Sequence, residues 1–224
     1  MLPHPSRFEI DHRTIKLLVG VIAISLANLT SFFAEAPLQS ISASYCEDGW
    51  SRDIFVGFLF AISAFLLAYN GKAKHEMVLS KVAALAAMGV AMFPSKCVGH
   101  EESIPYVHGI SAAIMFVILA IFCYVFFRRA WDKGHPQARL RATIYAICGA
   151  TIVASMLVLA IDRFSGGIIS SRVSRLTFHG ERAGLIAFGI AWLSASRVLP
   201  FITSKQERFS PLSDCAAEDS ADAS

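Results

Sequence analysis

The chain has 224 residues, 55% of them hydrophobic and only 17% charged, with a formal net charge of +3 and a mean hydropathy of +0.55. Soluble domains carry about 25% charged residues, so composition argues against a water-soluble globule, and so small a positive surplus gives no nucleic-acid footprint. Length is therefore counted in spans of roughly 20 apolar residues, each crossing a hydrocarbon core of about 30 Å.

The first apolar run covers residues 17–34, after a short cytoplasmic segment, 1–16. Ala34-Glu35-Ala36 mimics a signal-peptidase site, but Pro37 follows the cut and the run outlasts a signal core, so an uncleaved first span is expected. Further runs occupy 54–69, 78–93, 104–127, 142–161 and 178–199, which sets a membrane domain at 17–200. The second and third reach a spanning length only when extended to Asp53 and Met77. Lys81 is expected to extend its ammonium to the interface. No run alternates like a barrel strand, and lipid tolerates no unpaired backbone, so the fold class is all-α, a six-transmembrane-helix bundle. The tail after Arg208 is rich in Ser, Asp, Glu and Ala around Pro211, too polar to bury anything, and residues 201–224 are expected to form a disordered cytoplasmic tail.

Fourteen Lys and Arg residues fall on the side that holds both termini and six on the other. Both ends are therefore assigned to the cytoplasm, in a bacterial inner membrane or a plasma membrane. The loop from Arg128 to Arg141 weighs most, while Arg163, Arg172 and Arg175 dissent. Small residues recur every four positions, as Ala83-Ala87-Ala91, Ala146-Ala150-Ala154, Gly57-Ala61 and Gly180-Gly184, which predicts close helix packing and a compact bundle. No internal repeat points to an inverted-repeat transporter.

Beyond Ser and Thr, only Asn28 breaks the apolar middles, so a proton or ion relay is disfavoured. Polar side chains gather at the outer span ends: Asp53, His108, Ser111, His179, Glu181 and Arg182. His108 and Ser111 share a helix face. Glu181 is expected near the start of its helix, where negative charge is favourable, or as an acid facing the bundle. His108, His179, Asp53 and Glu181 would suit a zinc-dependent hydrolase if they converged, although no HxxxH or HExxH spacing supports this; otherwise no cofactor is expected. Two facing histidines are too few for a haem cytochrome. Ser40, Ser42 and Ser44 alternate as in a short extended or re-entrant segment, without a locally encoded base. Cys123 and Cys148 read as core residues, whereas Cys46 and Cys97 fall in outer loops where a disulfide would form.

Several of these segments resemble a group of six-span proteins that includes the damage-regulated autophagy modulators, the FGF-receptor-activating proteins and related bacterial membrane domains of unknown function. The matching stretches are Ser40-Ile-Ser-Ala-Ser-Tyr with Arg52-Asp53-Ile-Phe-Val-Gly, Gly89-Val-Ala-Met-Phe-Pro94, His108-Gly-Ile-Ser-Ala-Ala, and Glu181 opening the sixth span. The resemblance implies the six-span architecture and a role in lipid remodelling or membrane regulation. The functional expectation is a protein that engages membrane lipid or another amphiphile at its outer face. A metal-dependent hydrolase acting on a lipid headgroup and a small-solute transporter are the alternatives.

Overall fold

In a computed structural model the protein is all-helical, and the structure describes residues 11–95, 104, 106–204 and 206–209. Six α-helices follow one another among these residues: α1 His12–Phe32, α2 Trp50–Ala68, α3 Lys74–Met92, α4 Val107–Trp131, α5 Pro136–Phe164 and α6 Leu176–Ser196. Helices α1 to α5 are long and apolar enough to cross a membrane. Helix α6 has 21 residues but opens on His179, Glu181 and Arg182, which lowers its mean hydropathy.

The helix boundaries have local causes. Helix α1 starts inside the segment expected to precede the membrane domain, because the Asp11 carboxylate accepts from the Arg13 amide at 3.2 Å and caps it. Gly134, in the left-handed region, turns the chain between α4 and α5. His135 then caps α5 through its Nδ1, and Pro136 occupies the first turn, where its missing N–H leaves no gap. Helices α4 and α5, with 25 and 29 residues, are about 37 and 43 Å long at 1.5 Å per residue. Both exceed a hydrocarbon core, so their ends extend beyond the lipid-filled layer.

Each helix packs against its chain neighbours, α1 closes the ring on α6, and α4 touches α6 across the middle. Successive helices run antiparallel, so the starts of α1, α3 and α5 meet the ends of α2, α4 and α6 at one end, where Lys16 reaches Tyr69 and Phe126, Glu76 reaches Arg129, and Arg141 reaches Glu207. Large side chains fill the axis. Trp192 lies 5.3 Å from the Tyr69 and Phe188 rings, 5.7 Å from Phe122 and 5.9 Å from Phe126.

Buried hydroxyls join the helices: Ser51 donates to the Thr30 carbonyl at 2.9 Å, Ser63 to Ala84 at 2.8 Å and Ser80 to Leu66 at 2.6 Å. Such bonds tie helices together where lipid gives no hydrophobic drive. Lys81 donates to the carbonyls of Leu67 and Tyr69 and to Asn70, so its ammonium caps the C-terminus of α2.

The small-residue stripes divide. Ala83, Ala87 and Ala91 are fully buried, and Gly180 and Gly184 pack under Leu159 and Phe116. Ala146, Ala150 and Ala154 are exposed on the outer face of α5, and Gly57 faces open space. These last two stripes therefore do not bury their helices against a neighbour. The closest backbone approach is elsewhere, between Gly20 of α1 and Gly189 of α6.

The tail also differs from expectation. A 3₁₀ turn at Pro200–Ile202 continues into a segment that docks on the bundle, with Thr203 and Phe209 buried. The Phe209 amide donates to the Arg197 carbonyl at 3.1 Å, and the Arg13 guanidinium lies over its ring. A single aromatic side chain anchors a stretch whose average composition is polar. The later part of the expected tail lies outside the described residues.

Candidate functional site

At one end of the bundle, Glu181 and His108 meet. Helix α6 begins at Leu176, so Glu181 stands beyond its first turn and is not the helix-start acid expected from sequence. Its Oε2 accepts from the Ile41 amide at 2.6 Å and the Ser42 amide at 3.3 Å, while Oε1 accepts from the Ser42 hydroxyl at 3.3 Å. Two further bonds join the same loop to α6, from the Phe178 amide to the Gln39 carbonyl and from Arg175 Nε to the Leu38 carbonyl. Ser42–Cys46 forms a 3₁₀ turn and not an extended segment, with Ser44 fully buried. Glu181 thus clamps a loop onto α6. His108 donates from Nδ1 to the Phe93 carbonyl at 2.8 Å, which ends α3 beside the start of α4.

His108, Glu181 and Ser42 line one cavity of about 30 Å³. That is room for about two water molecules, too little for a headgroup. Removing the clamp exposes its role: Glu181→Ala should lower stability by about 1–3 kcal/mol, because buried loop donors lose their carboxyl acceptor. Glu181→Gln, which keeps one acceptor oxygen, should lose less. Thermal unfolding in detergent checks this, and an unchanged midpoint in the alanine variant would remove the clamp from the account.

The other sequence candidates do not join this pair. Asp53 is exposed, 3.8 Å from its neighbour Arg52. His179 is exposed on the α5–α6 side, its ring edge-on to Phe178. Ser111 packs against Gly89, fitting α4 to α3. Arg182 turns to α1 and donates to Asn28 Oδ1 at 2.7 Å, so the lone polar residue of the first span has a cationic partner. No three His, Cys, Asp or Glu side chains among the described residues stand close enough to share a metal ion. Cys46 is disulfide-bonded, and Cys97 lies outside the described residues. Cys123 and Cys148 are free and buried in the core.

The opposite end holds a larger and more strongly charged cavity. About 220 Å³ in volume, it is lined by Lys16, Lys72, Arg129, Lys133, Arg141 and Arg197, with Phe126 and Tyr145 as its apolar wall. The ends of four helices, α1, α4, α5 and α6, and the α2–α3 turn bring these cations together. The extra length of α4 and α5 supplies Arg129 and Arg141, and the turn between them adds Lys133. Arg197, in the left-handed region just after α6, lets the chain reverse beside the cavity.

Two carboxylates answer six cations. Glu76, fully buried, accepts from both terminal nitrogens of Arg129, one bond measuring 2.8 Å, and from the Lys72 amide at 3.3 Å. Glu207, from the docked segment, meets Lys133, Arg141 at 2.7 Å and Arg197 at 3.8 Å. Burial alone would raise the Glu207 pKa, but the hydrogen bonds from Lys133 and Arg141 and the nearby Arg197 charge prevail and hold it at about 2. It is an anion at every physiological pH.

Lys16 makes no ion pair among the described residues; its ammonium lies over the rings of Phe126 and Tyr69, 5.1 and 5.4 Å from their centroids. Lys72 is lowered in pKa by burial and then by the charges of Arg197, Arg129 and Lys133. Arg197 is lowered too, by burial first, with Arg13 and Arg141 adding to the effect against Glu207. Burial is the larger cause of both shifts and neighbouring positive charge the second, and an added anion would relieve the latter.

Sequence reasoning used these cations only to orient the chain. Their convergence was hidden because each comes from a different element. No family model, curated protein or solved structure matches the chain.

Proposed function

We propose that the chain is a six-span membrane protein with both termini in the cytoplasm, and that it binds the phosphate-bearing headgroup of a membrane lipid in the basic cavity. The observation that carries this reading is six cations around 220 Å³ with two carboxylates between them among the described residues. A phosphate group offers several acceptor oxygens to guanidinium and ammonium donors.

The sixth span rests on packing. Helix α6 lies between α1 and α5 in the ring, and 21 residues give about 31 Å. Its opening charges are engaged by Asn28 and the 38–42 loop, which spares them from lipid. The cytoplasmic assignment of the basic end follows the bias of Lys and Arg toward that side. Lipid engagement at the other end, around Glu181, has weaker support because that carboxylate already holds a loop.

The test is native mass spectrometry of the detergent-purified chain after titration with phosphatidic acid or phosphatidylcholine. The wild type should retain the anionic lipid selectively. A Lys16→Ala, Lys72→Ala double variant removes two basic side chains worth about 1 kcal/mol each at a membrane surface. It should bind about ten- to thirty-fold more weakly. Equal retention of both lipids, or no loss in the double variant, would end this reading.

A further inference from the structure

The basic cavity already has one partial occupant. Glu207 reaches three of its six cations from a segment that leaves α6 and folds back. Its carboxylate stands where an external anion would stand, beside the nearly buried Arg141, whose other terminal nitrogen donates to the Ile202 carbonyl at 2.8 Å. The remaining attachments are modest: the buried Thr203 and Phe209, one amide bond to Arg197 and one ring under Arg13. No α-helix has to unwind for this segment to leave.

Resting on the headgroup reading above, we infer that Glu207 is a tethered competitor for the anion site, and that the site therefore selects lipids bearing a phosphomonoester over those bearing only a phosphodiester. The selection follows from charge and reach. A ligand with one negative charge that replaces Glu207 merely repeats its contacts, and it competes with a group tethered a few residues away at an effective concentration near millimolar. A phosphomonoester carries about 1.5 to 2 negative charges near neutral pH. It satisfies Lys133, Arg141 and Arg197 in place of the carboxylate and adds Lys16 and Lys72, which Glu207 does not touch among the described residues. Binding then releases residues 200–209 from the bundle, and the segment reports occupancy to the cytoplasm.

The experiment uses the full chain in nanodiscs containing phosphatidic acid, with a monoester headgroup, or phosphatidylglycerol, with a diester. Lipid retention is read by native mass spectrometry and segment release by hydrogen exchange over 200–209. In the wild type, phosphatidic acid should be retained at least five-fold better, and exchange over 200–209 should rise when it binds. Glu207→Gln should increase retention of both lipids by about five- to ten-fold and narrow the difference between them. Phe209→Ala, which undocks the segment without touching a cavity charge, should act in the same direction and guards against misfolding of the first variant.

A segment that is only structural would lower the unfolding midpoint in both variants and leave lipid retention unchanged; that result overturns the competitor role while keeping the headgroup site. Absence of any lipid preference in the wild type and in both variants overturns the headgroup site itself. Retention of phosphatidic acid without faster exchange over 200–209 overturns displacement.

Discussion

Glu76→Ala should destabilise the protein by about 1–3 kcal/mol, because the half-buried Arg129 guanidinium and the Lys72 amide lose their shared acceptor. Glu76 is fully buried at the start of α3 and holds Arg129, on α4, through both carboxylate oxygens. It also accepts from the Lys72 amide, so the α2–α3 turn hangs on the same group. That turn includes Gly71, in the left-handed region, where any Cβ would fall 2.5 Å from the Glu76 side chain. Loss of the carboxylate leaves Arg129 facing Lys16, Lys72, Lys133, Arg141 and Arg197 with Glu207 as the one remaining anion of the described pair. Thermal unfolding in detergent should show a clear drop for Glu76→Ala. Adding an anionic lipid should recover part of it, since the lipid restores negative charge to the same crowd. A midpoint within a degree of wild type would mean that the pair contributes nothing net, as happens for many exposed ion pairs.

Gly189→Leu should split the seam between the first and last helices. A Cβ on Gly189 would sit 2.8 Å from the Gly20 carbonyl oxygen and 2.5 Å from Ile24, and one on Gly20 would meet the Gly189 carbonyl and the Leu193 amide at 2.9 Å. Three of these four neighbours are backbone and cannot rotate away. The helices must separate by more than a methyl radius, which forfeits close packing along their length, and overpacking of this kind costs about 1–3 kcal/mol or more. The Asn28–Arg182 bond lies further along the same seam, so separation also strips a cation of its partner within the bundle. We expect poor recovery of monodisperse protein for Gly189→Leu and a clearly milder effect for Ala187→Gly, a cavity change on the same helix. Equal behaviour of the two would show that close approach at this crossing is not what holds α1 to α6.

The helical architecture was legible because apolar runs of spanning length have few alternatives in lipid. Their ends were less so. Asp11 and His135 begin helices outside the apolar runs through single side-chain bonds, which hydropathy does not register. Stripes of small residues marked true contacts on α3 and α6 but an exposed face on α5, since four-residue spacing says which residues align and nothing of which way they point.

The candidate site was read at the end bearing Glu181, where ionisable groups are unusual in sequence. His108 and Glu181 do share a cavity there, while Asp53, His179 and Arg182 each go elsewhere. At the other end, positive residues were accounted for by membrane orientation, and that sufficient explanation concealed a second use. Glu207 and Phe209 were hidden by averaging: a tail of polar and charged composition looks unable to bury anything until one aromatic ring and one carboxylate find matching sites.

The ring of helices has a consequence for biogenesis. Because α1 seals against α6, the surface around Gly20 and Asn28 has no protein neighbour until the last helix has been made. During synthesis that surface must be tolerated by lipid or sheltered by the insertion machinery. Arg182, for its part, is made with the last helix, after its Asn28 acceptor, so its charge has a partner as soon as α6 meets α1.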